Sequence, residues 1–217
     1  MNAHRINASS ISHTPVFTPS SQAELARAIA ECVEVDEECV KGPKGPIGSW
    51  AVSGVTDMSA VFSSQESFKG DISAWDVSSV TNMDSMFEGA SSFNQDISKW
   101  DVSKLIHARA MFNGASSFNQ NISKWDVSRV TDMHSMFFGA SSFRQTLCGA
   151  WIESKARKFN MFKDSRGRIG KGKACPGTEK TKTTFKPRFT TFKPSSKRKL
   201  ADAIGDCVNS AIDLTQD

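Results

Sequence analysis

The chain has 217 residues, 38% hydrophobic and 23% charged, with a formal net charge of +4. That mixture excludes a collagen-like class, and no stretch approaches the ~20 apolar residues that a transmembrane helix needs. The charge is uneven: residues 154–199 hold 16 Lys/Arg against 2 Asp/Glu, a balance of +14, so the remainder carries −10.

Residues 1–16 are polar and aperiodic and are expected to be a disordered tail. They lack the apolar run of a signal peptide, so either the chain stays inside the cell or the start of the gene has been lost. Residues 17–49 read as a capping helix and a connector. Ser21-Gln-Ala-Glu24 has capping-box spacing, and Leu25, Ala28, Ile29, Cys32 and Val33 fall on one stripe, which predicts a helix over 21–35. Such a helix would cover the first turn of a repeat array, whose core would otherwise meet water. The Gly/Pro run 41–46 leads into that array.

From Trp75 the chain writes one 25-residue sentence, WDVSSVTNMDSMFEGASSFNQDISK, repeated from Trp100 and begun again at Trp125. A fixed period of this size is the mark of a repeat architecture. Aligned copies place Val52, Val77, Val102 and Val127 in one column, Phe68, Phe93, Phe118 and Phe143 in another, and Ile72, Ile97, Ile122 and Leu147 in a third. Met86-Phe87, Met111-Phe112 and Met136-Phe137 also coincide. Columns of one apolar type suit an α/β repeat solenoid over 50–170, about five rungs with the last degenerate. Within a rung, Val80, Met83, Met86, Phe87 and Ala90 suit a short helix capped by Thr81 and stopped at Gly89. Residues 94–98 suit a short parallel strand.

The last copy carries one residue more before Trp151, and Cys148 and Cys175 flank it as a candidate disulfide. Cys32 and Cys39 form a second candidate pair; if such bonds form, the protein matures in an oxidising compartment. Residues 171–191 are a basic, Thr-rich linker, read as a solvated segment or as a contact for nucleic acid or anionic glycan, for which no fold motif is present. Residues 192–217 then repeat the opening: Phe192-Lys-Pro-Ser-Ser answers Phe17-Thr-Pro-Ser-Ser at an offset of 175 residues. They read as a second capping helix cut short.

The matching residues Trp75-Asp-Val-Ser, Val80-Thr-Asn-Met83, Met86-Phe87 and Gly89-Ala-Ser-Ser-Phe93-Asn-Gln-Asp-Ile97-Ser carry a resemblance. Residues 50–170, with the Phe-x-Pro-Ser-Ser helix before them, resemble the BspA-like leucine-rich-repeat surface proteins, and more narrowly the 25-residue DUF285 repeat family. The resemblance implies a leucine-rich-repeat-like fold, a cell-surface or secreted location, and adhesion or protein binding.

Two polar columns are candidates for recognition. Asp71, Asp96 and Asn121, with Ser73, Ser98 and Ser123, would make a regular strip facing a protein or glycan, or a solvated face. Asp76, Asp101 and Asp126 suit Asx turns at the bend after each tryptophan. The five tryptophans share one repeat position, read as buried corner packing or as an aromatic rail for sugars. Asn121-Ile-Ser is a glycosylation triplet that matters only in a secreted eukaryotic chain. The four histidines fall in unrelated places, and no P-loop, HExxH or Cys-x-x-Cys motif is present. The expectation is a non-enzymatic binding module without cofactor or metal, with no nucleic-acid motif and no transmembrane segment, acting as a monomer. The alternative is an intracellular scaffold whose basic tail binds an acidic partner.

Overall fold

The computed structural model describes residues 16–171 and Cys175. The expected N-terminal tail, nearly all of the basic linker and the second capping helix lie outside the described residues. Helix α1 (Gln22–Val35) begins at Ser21, whose hydroxyl accepts the N–H of Glu24 at 3.2 Å. Glu24 reaches one residue further back than a capping box requires, accepting the N–H and hydroxyl of Ser20 at 2.9 and 2.7 Å. Leu25, Ala28, Ile29 and Cys32 are buried, as the stripe predicts. Gln22 donates to the carbonyl of Ser59 at 2.7 Å and ties this helix to the first copy.

The copies are joined by backbone hydrogen bonds that leave from every second residue. Met58, Ala60, Phe62 and Ser64 donate to the carbonyls of Asn82, Asp84, Met86 and Glu88 at 2.7 to 3.0 Å. One copy on, Met83, Ser85, Phe87 and Gly89 donate to His107, Arg109, Met111 and Asn113. The same row recurs from Ala108 to Gly114, and from Met133 to Gly139, which donates to Lys163. Parallel bridges accordingly link Asp57, Asn82, His107, Asp132 and Arg157 in succession.

This row replaces the helix expected in each copy. Ser85 and Gly89 have φ of +54° and +72°, and the equivalent pairs are Ala110 with Gly114 and Ser135 with Gly139. An α-helix needs φ near −63° at every residue, so two left-handed residues four apart end it. The segment is instead a run of linked turns, such as Glu88 N–H to Ser85 carbonyl at 3.0 Å, with the alternate N–H groups free to reach the next copy. Thr81, expected as a cap, donates its hydroxyl to Thr56 of the preceding copy.

The strand expected over 94–98 is likewise absent from the inner copies. Among the described residues the column pairs as strands only at its far end, where β1 (Thr146–Leu147) runs parallel to β2 (Arg168–Ile169), with the short helix α2 (Ala150–Glu153) in the loop between them. Elsewhere side-chain amides take over. Asn94 accepts the N–H of Asn119 at 2.9 Å, and Asn119 accepts that of Arg144 at 2.9 Å. Gln120 and Gln145 donate back to the carbonyls of Asn94 and Asn119 at 2.8 and 2.7 Å.

The core follows the predicted columns. Phe62, Phe87, Phe112, Phe137 and Phe162 stack at 5.1, 5.4, 5.5 and 5.5 Å between ring centroids. A second file, Phe68, Phe93, Phe118 and Phe143, is spaced at 6.0, 5.9 and 5.9 Å. Within a copy the files touch, with Phe87 and Phe93 at 4.0 Å and Phe112 and Phe118 at 4.1 Å. The second file stops at Gly167, whose backbone lies so close to the Phe143 ring that an added Cβ would overlap it.

Candidate recognition face

The tryptophans are structural. Trp50, Trp75, Trp100, Trp125 and Trp151 are at most 4% exposed, which removes the sugar-rail reading. Each indole N–H needs an acceptor once buried. Trp75, Trp100, Trp125 and Trp151 donate to the carbonyls of Ile47, Ile72, Ile97 and Ile122, 28 or 29 residues earlier, at 2.8, 3.2, 3.1 and 3.1 Å. The bend after each tryptophan is therefore fixed, and with it the position of the aspartate that follows.

Asp76, Asp101 and Asp126 each accept the N–H of the residue two on, Ser78, Ser103 and Ser128, at 3.0 Å, which is the Asx-turn geometry expected. The other column does the same. Asp71, Asp96 and Asn121 accept the N–H of Ser73, Ser98 and Ser123 at 2.9, 2.9 and 3.0 Å. All six acceptor residues are exposed, whereas Ser73, Ser98 and Ser123 are half-buried. Ser123 also donates its hydroxyl to the Thr146 carbonyl at 3.1 Å. Asn121 is thus an exposed amide held in a turn.

The turns set the electrostatics. The hydroxyl and N–H of Ser78, Ser103 and Ser128 hold the carboxyls of Asp76, Asp101 and Asp126 below the usual carboxylate range. The charge of Asp101 pushes back on Asp76 and Asp126, its neighbours in the column. Asp71 and Asp96 are lowered in the same way by Ser73 and Ser98. These groups stay ionised at neutral pH. Among the described residues no group of three or more His, Cys, Asp or Glu side chains converges on a point, and no helix is long and apolar enough to cross a membrane.

The cysteines divide. Cys148 and Cys175 form a disulfide with Cα atoms 5.7 Å apart, joining the two sides of the last copy. Cys32 and Cys39 are both buried and are not bonded, so the expected second disulfide is not formed in this structure. Burial pushes both thiols up, so the thiolate that disulfide exchange requires is scarce. Gly42 closes over them, since a Cβ there would overlap the Cys32 sulfur.

Two features escaped the sequence reading. One is the Asn/Gln amide ladder, visible only as the recurring Asn-Gln pair at 94–95 and 119–120. The other is a recess of about 600 Å³ lined by Arg129, Thr131, Ala150, Lys155 and their neighbours. It forms beside α2, where the extra residue before Trp151 breaks the repeat.

Neither a curated protein nor a solved structure matches the chain. The family described as "Mycoplasma protein of unknown function, DUF285" matches residues 31–166, more than half of the sequence. With its 25-residue columns joined copy to copy, the chain belongs to the DUF285 family.

Proposed function

We propose that the copies form a repeat solenoid serving as a non-enzymatic recognition or adhesion module, secreted or held at a cell surface, which binds protein or glycan through its columns of exposed turns. The finer likeness to BspA-like leucine-rich-repeat surface proteins belongs to this reading and rests on the repeat motif. The observation that carries it is the recurrence of one Asx turn at Asp71, Asp96 and Asn121 and another at Asp76, Asp101 and Asp126. A side chain locked by its own backbone loses little entropy when a ligand engages its second oxygen, which is the advantage of preorganisation. The disulfide supports maturation in an oxidising compartment.

The test is a panel of immobilised glycans and extracellular-matrix proteins probed with the full chain and with an Asp71→Asn, Asp96→Asn, Asp101→Asn variant. The amide keeps the turn acceptor and removes the charge. Saturable binding that weakens about tenfold in the variant, a loss of ~1.4 kcal/mol, at unchanged Tm is the expected result. Absence of saturable binding across the panel would refute the reading.

A further inference from the structure

The two ends of the array are not equivalent. Within each inner copy, alternate N–H groups are consumed by carbonyls of the copy that follows; Met133, Ser135, Phe137 and Gly139 donate to Arg157, Phe159, Met161 and Lys163 at 2.8 to 3.0 Å. One repeat on, the equivalent donors are the N–H groups of Lys158, Asn160, Phe162 and Asp164. Asn160 and Asp164 keep the left-handed φ of +53° and +59° that turns those N–H groups outward. Among the described residues none of the four has an acceptor.

The same edge is unfinished in two other respects. Phe162 stacks on Phe137 at 5.5 Å with one face, and is only partly buried, unlike Phe62, Phe87, Phe112 and Phe137. A shallow recess of about 490 Å³ opens over it, floored by Met161, Phe162 and Ile169 and rimmed by Lys163, Arg168 and Lys171. Among the described residues Arg168 and Lys171 have no acidic partner. Lys158, also at the rim, is held by the carbonyls of Ser154 and Ala156, and Asp164 subtracts one charge at the end of the row.

A row of outward N–H groups, a half-covered phenylalanine and a basic rim describe a template. We propose that this edge binds an acidic polypeptide segment of another protein, laid down in parallel register as a further copy would be, with carbonyls on the four N–H groups, a phenylalanine on Phe162 and carboxylates against Arg168 and Lys171. The structure contains the model ligand. Residues 81–93 present the carbonyls of Asn82, Asp84, Met86 and Glu88 to the preceding copy, stack Phe87 on Phe62 at 5.1 Å, and carry the acids Asp84 and Glu88. Addition of a strand-like segment to an open backbone edge is a general mode of peptide recognition: the main chain supplies affinity and alternate side chains supply specificity. An anionic glycan would satisfy the rim but would leave the N–H row and the ring unused, so the peptide is favoured.

This surface is separate from the turn columns, so the two ideas fail independently. The probe is a fluorescent synthetic peptide of sequence TNMDSMFEGASSF, residues 81–93, titrated into the full chain and read by polarisation. Saturable binding is expected, weakened about tenfold or more by an alanine at the peptide's phenylalanine corresponding to Phe87, and by R168E/K171E in the protein. Both protein substitutions are at exposed or rim positions and leave the phenylalanine files intact, which an unchanged Tm checks. The Asp71→Asn, Asp96→Asn, Asp101→Asn variant should bind the peptide as the parent does. Equal binding of a scrambled peptide would reduce the site to charge alone and overturn the proposal. So would the absence of peptide binding, whether or not heparin binds and loses affinity in R168E/K171E.

Discussion

The indole N–H of Trp125 donates to the carbonyl of Ile97, 28 residues earlier, at 3.1 Å, with Trp125 2% and Ile97 0% exposed. That bond links the tryptophan corner to the equivalent corner one period back, just before Trp100. Trp125→Phe keeps most of the ring area and removes this bond, while the Ile97 carbonyl keeps the backbone N–H of Trp100 at 3.1 Å. The expected loss is therefore about 0.5 to 1.5 kcal/mol in urea unfolding, the net worth of one hydrogen bond rather than the cost of an unsatisfied buried group.

The phenylalanine files should make stability depend on position along the array. Phe112 is fully buried between Phe87 and Phe137 and against Phe118. Phe112→Ala should cost about 3 to 5 kcal/mol through lost burial and the cavity left behind. At the edge, the partly buried Phe162 has a neighbour in its file on one side only, and Phe162→Ala should cost about 1 to 2 kcal/mol. Equal losses at the two sites, by thermal or urea unfolding, would argue against additive stacking.

The left-handed column offers a paired test of backbone strain. Ser135 has φ +54° and Gly139 φ +67°. A Cβ on Gly139 would sit 3.8 Å from Gly114, an ordinary contact, so Gly139→Ala meets conformational strain alone and should lose about 1 to 2 kcal/mol. Ser135→Gly relieves the same strain and gives back part of it as unfolded-chain entropy, leaving a gain of about 0.5 to 1 kcal/mol. Calorimetry of both variants should show shifts of opposite sign.

Cysteine chemistry should be split by location. The Cys148–Cys175 bond spans a sequence separation of 27, for which chain entropy gives a stabilisation of about 3.5 kcal/mol. Reductant, or Cys148→Ser, should lower Tm accordingly. Cys32 and Cys39 are buried with raised thiol pKa, so a thiol reagent should label them only as α1 opens, at a rate that falls with added stabilisation.

Acid should unfold the array through its turns. Asp76, Asp101 and Asp126 are held below their unfolded pKa by Ser78, Ser103 and Ser128. A depressed folded pKa contributes stability that is present above the unfolded value, about 3.9, and is lost as pH falls through the folded one. The midpoint of urea unfolding should therefore drop below about pH 4. A D76N/D101N/D126N variant, which keeps the acceptors without the charges, should show a flatter acid limb. All three groups are exposed, so solvent screening keeps the effect modest.

Much of this architecture was legible in the residues. Identical side chains recurring at Phe87, Phe112 and Phe137 can share one environment only if the copies lie against one another, and the cap of α1 followed from Ser21 and Glu24. The candidate turns at Asp76, Asp101 and Asp126 were also readable, because an aspartate two residues before a serine N–H needs no distant partner. What the sequence left undecided was the conformation between the columns. The spacing of Val80, Met83, Met86, Phe87 and Ala90 fits a helix and a run of linked turns equally, since both return side chains to one face after three or four residues.

Tertiary structure settled that choice. A helix would have spent the N–H groups of Ser85 and Phe87 within their own copy; the neighbouring copy offered the carbonyls of Arg109 and Met111 instead, and left-handed φ at Ser85 and Gly89 was the cost. The pairing of cysteines was decided the same way. Proximity in sequence suggested Cys32 with Cys39, but burial beneath Gly42 keeps those thiols protonated, while Cys148 and Cys175 are joined by the folding of the final copy. Local sequence fixes which side chains must be buried together; which backbone donors meet which acceptors depends on the copy that happens to lie alongside.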